Sequence, residues 1–322
     1  MAITLADAQQ NTQDDVDFGV IDETRRSSFL LDSITFDDTV TPGTAGGTLT
    51  AGYTRLTTTR AADTRQQNTE YPAREAVRGR VTVDLIPLGG RYNIDRVFAN
   101  LGDAATNEVA FQQSQVTLAT IAKFHDLFIN GVAADFEATV PEFDGLDAIV
   151  TGTSTESFAT GTTPWDFDSI TDKAGALAAN RALRAWMREF YRTPDVLFVN
   201  RDGAAWLDSL NDWMSFNATR PDEFGVEMPT WNGIPYVDLG DKADGATEII
   251  GTTGAGVTSI YAACLGLDSV HAYSVAGTQV LQAWLPDFST AGAVKSGEVE
   301  MSPVAIAAKR TKGVGAFRVD VI

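Results

Sequence analysis

Apolar and polar positions alternate with a period of two in three stretches of the chain. Leu49, Ala51 and Tyr53 are interleaved with Thr48, Thr50 and Thr54, and Val81, Val83 and Leu85 with Thr82 and Asp84. Phe317, Val319 and Val321 are interleaved in the same way with Arg318 and Asp320. Such alternation predicts half-buried strands. The first two stretches predict a long hairpin with a polar tip, roughly 48–57 out and 76–86 back. A ten-residue strand spans about 33 Å, so this ribbon should project beyond a compact body. From Val40 to Val77 the larger apolar residues are Val40, Leu49, Tyr53, Leu56, Tyr71 and Val77. A lone two-stranded ribbon is marginal in water, and a long polar loop in a compact domain is uncommon unless it is functional. The expectation is therefore that the ribbon rests on a neighbouring copy, the alternative being a floppy loop. The third stretch predicts a C-terminal strand that returns to pair with the first domain.

Helical spacing governs the middle. Phe111, Leu118, Ile121, His125 and Phe128 share one side of a predicted helix over 103–130, and Val109, Val116, Ala119 and Leu127 line a second. Asn130-Gly131 supplies its stop. All six tryptophans (Trp165, Trp186, Trp206, Trp213, Trp231 and Trp284) lie between 165 and 284, which predicts a second domain with its own core. Asp168 is read as the N-cap of a helix whose Ile170, Ala174, Leu177, Leu183, Met187 and Phe190 share one side, stopped by Pro194. Further strands are expected at Asp195–Val199, Ile234–Val237, Thr247–Ile250, Ser259–Leu265 and Val270–Val275, with a short helix at Asp202–Leu210. Helices and strands are interleaved, so the class is α+β or mixed α/β.

Charge adds a second pattern. The 322 residues carry a net charge of −19, where a nucleic-acid binder would show a clustered basic excess. A wall that encloses DNA without sticking to it tolerates this sign, because phosphates are repelled. Residues 1–38 hold nine acids against Arg25 and Arg26, and read as an extended arm with a helical turn or two near Thr24–Leu31, or as a disordered tail. Residues 55–80 invert the balance with Arg55, Arg60, Arg65, Arg74, Arg78 and Arg80, and no lysine precedes Lys123. No apolar run reaches the length of a membrane span. The first residues lack the features of a secretion signal, so a cytoplasmic origin is expected.

Candidate chemistry is sparse. Cys264 lies in an apolar run and reads as a buried small hydrophobe. His125 and His271 stand in no metal-ligand spacing and read as hydrogen-bonded core or interface histidines. Thr252-Thr-Gly-Ala-Gly256 lacks the lysine of a phosphate loop and reads as a turn; Gly43-Thr-Ala-Gly-Gly47 reads as a hinge. Asp166 and Asp168 suit capping of a helix start. No catalytic, cofactor-binding or metal-binding residues are expected.

The order of these elements resembles the tailed-phage major capsid family of the Hong Kong 97 type over nearly the whole chain. The residues that carry the likeness include Leu127-Phe-Ile-Asn-Gly131 with Glu142-Phe-Asp-Gly-Leu146, which looks like the junction into an axial domain. Pro194-Asp-Val-Leu-Phe-Val-Asn200, Trp231-Asn-Gly-Ile-Pro-Tyr236 and Tyr261-Ala-Ala-Cys-Leu-Gly-Leu267 look like axial-domain strands. Val304-Ala-Ile-Ala-Ala-Lys-Arg310 and Gly315-Ala-Phe-Arg-Val-Asp-Val321 are similar to the returning strands. The resemblance implies an α+β fold with an N-terminal arm (1–38), an extended loop hairpin (39–90) and a peripheral domain with a spine helix (91–145). An axial domain (146–285) and strands returning to the peripheral domain (286–322) would follow. It implies no enzyme and no cofactor, but self-assembly as hexamers and pentamers into an icosahedral virion shell around double-stranded DNA, formed in the host cytoplasm, without a membrane. Arg55, Arg60, Arg65, Arg74, Arg78, Arg80, Tyr53 and Tyr71 are the candidate inter-subunit contacts, the arginines docking on an acidic neighbour. A separate scaffolding protein, a portal and decoration proteins are the implied partners. The loop has no lysine, so covalent cross-linking through a loop lysine is not expected. An encapsulin-type compartment enclosing cargo enzymes is the alternative within the fold; a carboxylate-based hydrolase is the remote one.

Overall fold

The computed structural model describes residues 29–41, 49–97, 108–134, 138–214, 218–221 and 227–321. Most of the predicted arm and the 43–47 hinge lie outside these residues.

A short helix, α1 (Phe29–Ser33), leads into strand β1 (Phe36–Val40). The hairpin follows as β2 (Thr50–Thr58) and β3 (Val77–Asp84), paired antiparallel from Thr50↔Asp84 to Thr58↔Val77. Strand β4 (Ile86–Asp95) precedes the long helix α2 (Glu108–Asn130). The predicted spine is present, but its burial differs from the pattern. The C-terminal half is deeply packed through Phe124, Leu127, Phe128 and Ile129, while the N-terminal half is only partly covered. Phe124, which the sequence pattern passed over, is fully buried.

His125 is 1% exposed, and its Nε2 has no hydrogen-bond partner. The expected hydrogen-bonded histidine is thus corrected at this nitrogen. Burial lowers its pKa from 6.5 to about 4, so the folded chain keeps it neutral at pH 7. A histidine whose folded pKa lies below its unfolded value contributes full stability above pH 6.5. That stability is lost as pH falls towards 4. The expected loss from this group between pH 7.5 and pH 5 is about 2 kcal/mol. Denaturant titrations of wild type and His125→Phe should therefore diverge in pH dependence below pH 6.5, the variant giving the flatter profile.

Helix α2 ends in a backbone junction that explains the glycines at 131 and 145. Gly131 N donates to Leu127 O at 3.0 Å and Gly145 N to Gly131 O at 2.8 Å, while Ala134 N donates to Glu142 O at 3.0 Å. A Cβ on Gly145 would stand 2.6 Å from Leu127 O, 2.7 Å from Ile129 O and 2.8 Å from Gly131 N. Side-chain-free residues let the two passes of backbone meet here. A short helix α3 (Leu146–Val150) begins directly after it.

The rest of the chain makes strands β5 (Glu156–Ser157), β6 (Trp165–Asp166) and β7 (Val196–Val199), with helices α4 (Lys173–Met187) and α5 (Arg201–Met214). Strands β8 (Ala218–Pro221), β9 (Glu227–Trp231), β10 (Ile234–Asp238), β11 (Val257–Ala263), β12 (Val270–Val275), β13 (Leu281–Trp284), β14 (Val294–Ala308) and β15 (Val314–Asp320) complete it. Several expectations are corrected. The N-cap of α4 is Asp172, whose Oδ1 accepts from Gly175 N at 2.7 Å, and not Asp168. At Phe167 the backbone is still tied to the sheet, its N donating to Asp320 O, so the helix cannot begin there. Its buried face is Ala176, Ala179, Asn180, Leu183 and Trp186, with Ala174 and Leu177 outside. The helix ends at Met187, well before Pro194, because Tyr191 N is drawn to Lys312 O. Thr247–Ile250 forms no strand; it contributes one isolated bridge, Asp241↔Glu248.

Two sheets organise the molecule. The five-stranded sheet runs β1-β12-β14-β13, with β4 also on β14. The eight-stranded sheet runs β5-β15-β11-β7-β10-β9-β8, with β6 also on β15. Strand β12 thus joins the sheet of β4 and β14 rather than the tryptophan-rich region. Strand β15 pairs with β11 throughout its length, Val257↔Asp320 to Ala263↔Val314. The C-terminal strand expected to return to the first domain, β15, stays with β11, while β14 pairs with β4. The β9–β10 hairpin turns on Asn232 (φ 51°) and Gly233 (φ 83°), the two positive values that a type I′ turn requires.

The eight-stranded sheet is apolar on both faces, because both are covered. Val196, Phe198, Tyr261 and Ala263 face a core shared with α2, β12 and β14. Leu197, Val199, Ile260, Ala262, Cys264 and Phe317 face a second core under α4 and α5. Trp186 and Trp165 both lie against Phe317, at ring-centroid distances of 5.3 and 5.5 Å. The second core holds Trp186 and Trp231, but Trp213 and Trp284 are exposed. The tryptophan concentration marks this core only in part.

Candidate assembly surfaces

The ribbon divides into an anchored base and an exposed tip. At the base Ala51 is buried, and Leu49, Tyr53 and Val83 pack against the first core. The Tyr53 hydroxyl donates to Ala308 O at 3.0 Å. Arg55 Nη2 donates to Ala308 O at 2.6 Å and Arg55 Nε to Lys309 O at 3.2 Å. These two candidate contacts thus hold the ribbon to its own body at the end of β14, which the sequence reading did not foresee.

Beyond Arg55 the character changes. Residues 56–78 are exposed without a break, including Leu56 at 52%, Tyr71 at 62% and Val77 at 52%. Arg74 Nε pairs with Asp63 Oδ2 at 2.6 Å, and the Arg65 guanidinium lies 5.3 Å from the centre of the Tyr71 ring while Nη1 donates to Thr69 O. These links shape the tip but give it no core. The Arg60, Arg78 and Arg80 side chains make no hydrogen bond or ion pair among the described residues; the Arg80 side chain crosses Gly52. The candidates therefore fall into three groups: Tyr53 and Arg55 in the base, Arg65, Arg74 and Tyr71 tied within the tip, and Arg60, Arg78 and Arg80 open to a partner.

A polar hub that the sequence did not reveal joins α3, β5, β11 and β15. Arg318 Nη1 lies 2.6 Å from Asp147 Oδ1 and Nη2 lies 2.8 Å from Glu156 Oε1. Nη1 also donates to Ser259 Oγ at 2.9 Å, and the Tyr261 hydroxyl donates to Asp147 Oδ1 at 2.8 Å. Burial, and then the Asp147 carboxylate, push the Tyr261 phenol above its ordinary range. Every group here has a partner, which marks a structural clamp.

The residues considered for chemistry are internal. Burial pushes the Cys264 thiol up to about 12, a protonated and poor nucleophile at neutral pH. His271 is fully buried with neither ring nitrogen hydrogen-bonded, correcting the sequence reading; its ring meets Tyr273 edge-on at 4.7 Å, and Nε2 lies 3.9 Å from Asp37 Oδ2. The 252–256 segment is a turn closed by Gly256 N donating to Thr253 O. Asp166 Oδ1 caps the Ser169 N–H. Among the described residues no cluster of three His, Cys, Asp or Glu side chains could hold a metal, and no helix is long and apolar enough to cross a membrane.

No protein-family model matches the chain, and no curated protein matches its sequence. Solved structures do match its shape. The holo-SrpI encapsulin of Synechococcus elongatus aligns with a TM-score of 0.62 at 12% identity, covering 100% of this chain and 96% of that one. The capsid of Myoviridae phage XM1 aligns at 0.61 and 10% identity, covering 99% of each. The capsid of a native gene transfer agent (GTA) particle aligns at 0.57 and 11%, again covering 99% of each. The chain has the Hong Kong 97-type capsid fold. In this capsid fold the extended loop is the β2–β3 ribbon and the spine is α2.

Proposed function

We propose that this chain is the major capsid protein of a tailed bacteriophage, assembling as hexamers and pentamers into an icosahedral head around double-stranded DNA. The observation that carries the reading is the tip of the ribbon: 23 consecutive exposed residues, 56–78, without a core, on a fold shared with capsid shells. An isolated ribbon is marginal in water, so Leu56, Tyr71 and Val77 require a surface supplied by another copy. The charge of −19 suits an inner wall that repels packaged phosphates. Assembly in the host cytoplasm, with a separate scaffolding protein, a portal and decoration proteins, belongs to the same reading, as does the absence of an enzymatic role.

Electron microscopy of the expressed chain tests it: closed shells of uniform size are expected, and a monodisperse monomer at high concentration overturns it. The full-length match to an encapsulin supports a second reading, a compartment for cargo enzymes. Nuclease-resistant DNA in native particles favours the head; co-purifying enzyme cargo favours the compartment.

The arginines of the ribbon tip give a graded test. Replacing Arg60, Arg65 and Arg74 with serine removes three exposed charges worth about 0.5 kcal/mol each, so each junction weakens about tenfold. The concentration at which shells form should rise accordingly, while the melting temperature of unassembled chain stays unchanged. An unaltered assembly threshold removes these arginines from the contact.

A further inference from the structure

Helix α4 is chemically at odds with the chain around it. It carries Lys173, Arg181 and Arg184 with no acid, and Arg188 caps its end, in a protein of net charge −19. Spacings of three and four place residues 181, 184 and 188 in one row, where like charges destabilise a helix unless an anion intervenes. All three are exposed, and none of their side chains makes a hydrogen bond or ion pair among the described residues. Beside the row runs a groove of about 370 Å³, lined by the three arginines with Leu177, Asn180 and Met214. A second, of about 270 Å³, continues past Arg184 and Arg188 to Ile234. Leu177 is 48% exposed among the guanidiniums.

The groove thus calls for a ligand with both anionic and apolar side chains. A nucleic-acid duplex supplies anions on its surface but keeps its bases stacked inside, away from Leu177 and Met214. An acidic peptide supplies both, and the chain contains one. Asp14-Asp-Val-Asp-Phe-Gly-Val-Ile-Asp-Glu23 interleaves five acids with Val16, Phe18, Val20 and Ile21 and has no basic residue. We propose that the α4 groove is the docking site for segment 14–23 of a second copy of this chain.

Reach decides that the donor is another copy. Phe29 begins α1, whose Leu30 sits in the first core, whereas α4 covers the second core on the opposite face of the eight-stranded sheet. The outer side of α4 is therefore roughly 25 Å or more from α1, a sheet-to-layer spacing on each face plus a helix radius. From Glu23 to Phe29 six fully extended steps span only about 21 Å, and the path must go round the sheet. The contact needs association of copies, not a closed shell, and so extends the proposed function without depending on its geometry.

The test uses the full chain carrying Arg184→Lys, prepared as an equal mixture of ¹⁴N- and ¹⁵N-labelled protein. Zero-length carbodiimide joins lysine amines to carboxylates in contact. Mixed-isotope peptides linking position 184 to Asp14–Glu23 are expected, and adding Arg181→Glu with Arg188→Glu should lower their yield about tenfold. No link to 14–23, links within one copy only, or links that instead join position 184 to another acidic segment each overturn the proposal. So does retention of a DNA oligonucleotide that blocks the link at equal concentration. Shells seen by microscopy without this link refute the contact and leave the shell reading standing.

Discussion

Gly145→Ala is expected to destabilise the chain by more than about 3 kcal/mol, enough to leave much of it unfolded. The added methyl would meet Leu127 O, Ile129 O and Gly131 N, all under 3.0 Å. All three are backbone atoms, which cannot swing aside as a flexible side chain can. Overpacking of this kind costs about 1–3 kcal/mol where side chains can yield, and more where they cannot. The junction also fixes the direction in which α3 leaves α2, so relaxation at 145 would move two layers. Gly251→Ala is the control, because a Cβ there meets nothing within 4 Å, and its effect should stay within about 0.5 kcal/mol. Urea titrations of both variants check the pair. Equal midpoints for Gly145→Ala and wild type would refute the close-approach account.

Arg318→Met should cost roughly 3–4 kcal/mol. Methionine matches the stem of the arginine but leaves Asp147 and Glu156 facing each other without a cation. The Arg318 side chain is 14% exposed and Glu156 11%, so solvent compensates little at Glu156, while Asp147 at 42% is better screened. Removing one partner of such a pair is costly because the remaining charge stays in place unpaired. Adding Glu156→Gln should recover part of the loss, since groups within one network couple by about 0.5–3 kcal/mol. Strictly additive losses in the double variant would mean that the hub does not act as a unit. A melting temperature for Arg318→Met equal to wild type would show that solvent had replaced it.

The same arginine marks the boundary between what could be read and what could not. Phe317, Val319 and Val321 alternate with Arg318 and Asp320, and the alternation correctly placed a strand with one apolar side. A period of two says which residues share a face, but not whether the polar face meets water or other elements. Here α3 and β5 cover it, so a residue on the polar side of the alternation is the centre of a clamp. The capping error at Asp168 has a similar cause. Asp, one residue after Phe167, has the right side chain for a cap, but the hydrogen bond from Phe167 N to Asp320 O holds that segment in the sheet and moves the cap to Asp172.

The features legible in the residues were local and periodic: the ribbon, the spine helix, the buried strand at 196–199 and the poverty of apolar residues in the tip. Backbone sterics and side-chain periodicity act over a few residues, so they are written in the order of the chain. Long-range packing set the rest: β15 joins β11 while β14 joins β4, β12 leaves the tryptophan-rich region, and Tyr53 and Arg55 hold the base to Ala308 and Lys309. Pairings over such separations are chosen by which apolar faces can be buried together, a property of the whole packed core and not of any one segment.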